Sequence, residues 1–367
     1  MTEHSFTKYI YAVLRRHFGD ESKNIFNKSE LLQYINNKTV SANKGSKSRG
    51  SFANIYSIYV LVEDYISNGF MSQNKDYSKY EGAAFTKLMK RQRELPFGAK
   101  LQNHALNSRT NGEFEKFFPM SQHSPIIRDL KSQRYWINEN LLIVKTNNGI
   151  FNISQAVIEI IDKYVEVKQS AFKSFISQCK RLKNAEKTNK DDIRGFILSL
   201  MTADMDARLF EIVSFSILKR VYADKEIYWG FSKTKLKKEN IKLYKTGRTN
   251  ANDGGIDFVM KPLGRFFQAT ETLDFKKYFL DIEKLEHFPI TFVIKSYDDI
   301  DTIKATIRNK AKKTYVIDRV VDEYMKCIEE IINMVMLSEM VKNMEYDALH
   351  DVLKEIIIQS KVEFNQQ

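Results

Sequence analysis

Apolar residues recur at helical spacing through most of the first half of the chain. Residues 6–18 carry one such stripe, and Ser29 stands as an N-cap before SELLQYI. The loop ANKGSKSRG precedes an apolar run over 51–66, and a polar stretch covers 74–82. Residues 83–94, AAFTKLMKRQRE, read as a basic helix. The pattern loosens over 95–148, with strand-like pieces at RYWI and NLLIVK. Residues 153–182 then read as one long or two short amphipathic helices. The polar run over 183–192 marks a boundary.

Beyond that boundary the pattern changes. Helices are predicted over 193–201 and 203–222, then strand-like runs at 227–232, 241–247, 255–261 and 265–272. A helix over 274–288 precedes PITFVIKS, a short β-branched run that reads as a strand. Another helix begins near Asp298, TYVID is a candidate further strand, and 320–358 reads as a Met-rich helical tail. The order predicts an α/β (α+β) fold on a mixed sheet. Three regions are expected: a mostly helical N-terminal region over 1–190, a core over 195–310, and a helical C-terminal element over 311–367 with a possible dimerisation role.

Composition narrows the class. The chain has 367 residues, a length that suggests about two domains. Its apolar share of 43% can build real cores and excludes global disorder. Cys179 and Cys327 lie far apart, which excludes a disulfide framework and a CxxC knuckle. The first residues carry scattered charges and lack the apolar core of a signal peptide. No uncharged run approaches the roughly 20 apolar residues of a bilayer span. A soluble cytoplasmic protein is therefore expected. Lys and Arg exceed Asp and Glu by 58 to 46, a net charge of +12 that suits a polyanionic partner. Lys- and Asn-rich chains are often basic without function, so charge alone does not decide. The six His show no metal spacing, and no HExxH, Walker A, GxSxG or zinc-finger pattern is present.

Residues 246–272, TGRTNANDGGIDFVMKPLGRFFQATET, carry the chemistry. They hold the only Gly-Gly pair in the chain, a turn signal that leads into a strand. Period-two alternation puts Asp257, Val259 and Lys261 on one strand face. Phe266, Gln268 and Thr270 share a face of the return strand, and Glu271 points the other way. If the hairpin register allows it, Asp257 and Gln268 end close together. Two oxygen ligands there can hold a hard cation such as Mg²⁺.

This segment resembles the core of the PD-(D/E)XK nuclease superfamily, in its GGxD…QxK variant. Glu211, in RLFEIVSFSILKRVY, stands where the superfamily has a helix-borne Glu. The resemblance covers about 195–310. The stretch GRTNANDGGIDFVMKPLGRFFQATE is similar to type II restriction endonucleases of the HaeII-like family. The resemblance implies a mixed-sheet nuclease core flanked by helices, with Mg²⁺ on Asp257, Gln268 and Glu211 and on the Ala269 carbonyl. It implies Mg²⁺-dependent, sequence-specific hydrolysis of double-stranded DNA, leaving 5′-phosphate and 3′-hydroxyl ends. Cutting both strands of a palindrome needs two sites, so a homodimer is expected. A DNA methyltransferase is expected as a system partner.

One position departs from the pattern. Thr270 stands where the family has its catalytic Lys. The favoured replacement is Lys261, which shares the Asp257 face, and Lys295 is the other candidate. A catalytically dead site, or one served by metal-bound waters alone, is also open. Plainer readings stand beside these: Asp257 as a turn carboxylate, Gln268 as a buried strand amide, Glu211 as a solvated helix position. Lys235, Lys237, Lys245 and Arg248 in the Lys-rich stretch 232–248 are candidate phosphate contacts. Lys47 and Arg49 in the loop 43–51 are candidate groove readers. A modified-DNA-dependent or repair-type nuclease and a catalytically inactive DNA-binding protein are the alternative functions.

Overall fold

The computed structural model describes residues 3–40, 48–71, 75–99, 101–184, 189–202, 205, 207–246, 256–315 and 317–364. Of 48–50, 363 and 364 it describes the backbone alone. The chain divides into two compact units, Met1–Phe175 and Ile176–Gln367. Helix Ser154–Lys183 runs through the division, so the polar run after it is not where the units part.

The N-terminal unit is a helical body with small sheets. Ser29 caps helix Glu30–Thr39, its hydroxyl accepting from the Leu32 N–H at 3.2 Å. Helices Thr7–Phe18, Ser48–Ser67 and Ser154–Lys183 supply much of one aromatic-rich core, with Phe6, Tyr56, Tyr65 and Tyr164 fully buried. RYWI forms the strand Arg134–Ile137 between Ile126–Asp129 and the two-residue Ala83–Ala84. Ile143–Thr146 pairs with Gly149–Asn152 in a separate hairpin.

The C-terminal unit is built on a mixed five-stranded sheet. Its order is Ile328–Ile332, Ile290–Ile294, Arg265–Thr270, Phe258–Lys261, Lys242–Lys245. The first three strands are mutually parallel and the last two complete antiparallel pairs. Helix Ala207–Ala223 packs on one face, where Phe215 meets Phe258 at 5.2 Å and Tyr222 meets Phe267 at 6.1 Å. Helices Phe275–Lys284, Ile300–Lys312 and Asp318–Lys326 join a second apolar cluster that includes Ile290, Phe292 and Ile294. This is the crossover pattern expected of parallel strands.

Two expectations fail here. TYVID is not a strand: Lys313 and Thr314 form a turn, and Asp318 opens a helix. The tail is not wholly helical. Ile328–Ile332 is a strand between helices Asp318–Lys326 and Met334–Lys342. Ile328, Ile331 and Ile332 have helical spacing, yet the open parallel edge beside Ile290–Ile294 takes them as a strand. The last helix, Tyr346–Phe364, lies along Ala207–Ala223, tied by Lys219 to Glu355 at 2.9 Å. The 311–367 segment thus completes the C-terminal unit. Among the described residues no helix is long and apolar enough to cross a membrane.

Candidate metal centre

The central hairpin sets the geometry. Phe267 pairs with Phe258, Phe266 with Val259 and Arg265 with Met260. The regular ladder ends there, because Asp257 divides its backbone between two neighbours. Its N–H donates to the Phe267 carbonyl at 3.0 Å, and its carbonyl accepts from the Thr246 N–H at 2.9 Å. In a regular strand both groups of one residue face the same neighbour, so Asp257 marks an irregularity at the strand mouth. Its carboxylate turns across and accepts from the Ala269 N–H at 2.8 Å. Asp257 and the Gln268–Ala269 peptide therefore meet, in the register that the hairpin pattern left open.

Gln268 is 7% exposed. Its amide nitrogen reaches the Ala269 carbonyl only weakly, at 3.5 Å, and its Oε1 is buried with no hydrogen-bond partner. A buried acceptor without a donor costs about 1–3 kcal/mol, which a bound cation would offset. Burial raises the Asp257 carboxyl to about 6, against the pull of the Ala269 N–H and of Lys277 and Lys245. Asp281 raises it further.

Glu211 lies on helix Ala207–Ala223 and is buried. Its Oε1 is ion-paired with Lys245 at 3.0 Å, and Oε2 accepts from Arg208. Both carboxylate oxygens thus carry cationic partners, and Lys245 stands between Glu211 and the Asp257 field. Lys245 is turned inward here, its side chain 16% exposed, rather than outward toward a phosphate backbone.

Thr270 is buried, and its hydroxyl accepts from Lys277 Nζ at 3.3 Å. Lys277 comes from helix Phe275–Lys284, which Asp274 caps by accepting from the Lys276 N–H. Lys261 is exposed, pairs in register with Lys242, and lies four residues from Asp257. That is about 13 Å along a strand, too far to act at the same carboxylate. Lys295 is occupied by Glu271 and by the Met205 carbonyl, at 2.5 and 2.6 Å.

Lys235 and Lys237 are exposed on a two-stranded hairpin, Glu226–Trp229 with Lys237–Asn240, whose Phe231 is fully exposed. Lys47 and Arg248, and the turn residues Asp253, Gly254 and Gly255, lie outside the described residues. Arg49 falls in helix Ser48–Ser67, with its side chain outside them.

Two residues were missed by sequence reasoning, Lys277 and Asp281. Their signal was the i, i+4 spacing within DFKKYFLDIEK, which puts both on one helix face. Among the described residues no group of three or more His, Cys, Asp or Glu side chains is placed to hold a metal. The donor set here is instead carboxylate, amide oxygen and peptide carbonyl, all hard oxygen ligands of the kind Mg²⁺ selects. Compared with family models, with curated proteins and with solved structures, the chain matches none.

Proposed function

We propose that the chain is a divalent-cation-dependent endonuclease of the type II restriction kind, acting on double-stranded DNA. One observation carries the reading. The Asp257 carboxylate meets the Gln268–Ala269 peptide at the mouth of the central hairpin, and the buried Gln268 Oε1 has no donor. Asp257, Gln268 and the Ala269 carbonyl would hold Mg²⁺. Bound there, the ion would lower the pKa of a coordinated water and neutralise charge on a scissile phosphate.

The chain's own residues do the remainder. The Ala269 N–H orients the Asp257 carboxylate. Glu211 holds Lys245 in place, so its role in this reading is positioning. Lys277, against Thr270, brings positive charge to the place where the superfamily pattern has its Lys. This contact favours an active site over an inert DNA binder. The exposed lysines of the 226–240 hairpin suit phosphate contact. Two-strand cutting would require two copies of the site, hence a homodimer.

The test is cleavage of unmethylated plasmid and phage DNA with and without Mg²⁺. Discrete fragments are expected from the wild type. Asp257→Ala should lose cleavage by about a thousand-fold or more while keeping DNA binding, and Lys277→Met should lose about a hundred-fold. Cutting by Asp257→Ala at the wild-type rate would overturn the assignment. Intact DNA with a salt-sensitive gel shift would point to a binder that does not cut.

A further inference from the structure

Helix Phe275–Lys284 runs back over the Gln268 strand, and three contacts fix its position. Lys277 Nζ donates to Thr270 Oγ1 at 3.3 Å. The Tyr278 ring packs 4.6 Å from Phe292, which pairs in register with Gln268. Past the helix end, Phe288 packs 5.1 Å from Phe266. From Lys277 to Asp281 is one helical turn, about 6 Å. From Thr270 back to Gln268 is two strand residues, about 7 Å in the same direction. Asp281, one turn past Lys277 and on the same side of the helix as Tyr278, therefore turns toward the sheet face that Gln268 shares with Phe292.

Both side chains are more than nine-tenths buried, Asp281 at 4% and Gln268 at 7% exposure. Gln268 Oε1 and Asp281 Oδ2 each lack a hydrogen-bond partner. The ion partner of Asp281, Lys284, lies 3.6 Å away on the other carboxylate oxygen, beyond hydrogen-bond reach. Asp257 feels the Asp281 charge, which places the two carboxylates in one electrostatic neighbourhood. The two donorless acceptors, Gln268 Oε1 and Asp281 Oδ2, are unfavourable where they lie unless a cation takes them as ligands.

We infer that Asp281 is a direct ligand of the cation held by Asp257 and Gln268, taking the part that the superfamily pattern assigns to Glu211. The inference rests on reading this hairpin as a cation centre, and it is tested without DNA. Mn²⁺ binding to the full chain is measured by electron paramagnetic resonance. Asp281→Asn, which keeps the side-chain volume, should weaken binding about ten-fold or more, as should Asp257→Asn. Glu283→Gln, on the same helix but bonded to Tyr324, should leave it unchanged. Gln268→Glu should tighten binding, a gain that misfolding cannot produce.

Wild-type affinity in Asp281→Asn overturns the inference, and if Asp257→Ala still abolishes cleavage the nuclease reading survives alone. Loss of Mn²⁺ in Asp281→Asn from a wild type that cuts no DNA upholds the site and overturns the nuclease reading. A wild type that binds no Mn²⁺ overturns both.

Discussion

Asp64 in the N-terminal unit and Asp281 in the C-terminal unit are buried to nearly the same degree, 6% and 4% exposed. Their surroundings differ. Asp64 accepts from the Tyr80 hydroxyl, from Lys87 at 2.9 Å and from Asn68 at 3.1 Å. Glu113 in the same unit accepts from Lys38, from Asn54 at 2.6 Å and from Arg109 at 2.7 Å. Those partners hold its carboxyl below the usual range although desolvation opposes them. Burial raises Asp281 and Asp257 instead. The first unit closes these carboxylates as structural joints; the second closes Glu211 in the same way, with Lys245 and Arg208, but leaves one oxygen of Asp281 without a donor. A partnerless amide alone does not mark a site, since Gln92 in the N-terminal unit is also buried without partners. What distinguishes Gln268 is that the next peptide N–H, that of Ala269, is held by the Asp257 carboxylate.

This contrast can be broken by stability measurements, with metal removed by chelation. The largest effect belongs to Asp64. Asp64→Ala leaves the Tyr80 hydroxyl and Lys87 without their carboxylate and should destabilise by about 3 kcal/mol in urea denaturation. An unchanged midpoint would mean that the joint contributes nothing.

Next comes a pH effect with an unusual sign. The folded Asp257 carboxyl stands near 6, above its unfolded value of 3.8. The folded state therefore holds the proton more tightly. Its contribution is fully present below the unfolded value and is lost as pH rises through 6, by on the order of 2 kcal/mol. Asp257→Asn should flatten that part of the stability curve, and an unaltered slope between pH 4 and 7 would refute the account. In the metal-free protein, Asp281→Asn should stabilise by about 1 kcal/mol, opposite in sign to Asp64→Ala, because it removes a buried charge whose ion partner, Lys284, stands beyond hydrogen-bond reach.

The smallest change is expected on the exposed 226–240 hairpin. Lys235→Gln and Lys237→Gln should each lower the salt slope of DNA binding by about one and weaken affinity only a few-fold. A slope equal to that of the wild type would remove the hairpin from the interface.

Most strands of the C-terminal sheet were legible because each is a short β-branched or aromatic run with turn residues at its ends. The approach of Asp257 to the Gln268–Ala269 peptide was legible up to the register, since alternation and a tight hairpin supply the rest. Lys277 and Asp281 were not. Their spacing shows that they share a helix face, but not which element that face meets. The Ile328–Ile332 strand was hidden by spacing that also suits a helix.

The sequence by itself determined most local elements and the hairpin that brings Asp257 to the Gln268–Ala269 peptide, because these depend on neighbours along the chain. Only the tertiary structure decided which cation stands beside Thr270, that Glu211 is closed by Lys245 and Arg208, and that Asp281 is buried with one oxygen lacking a donor. Those outcomes depend on how a helix docks on a sheet, where its rise of about 1.5 Å per residue runs against a strand's 3.3 Å. No local pattern encodes that register.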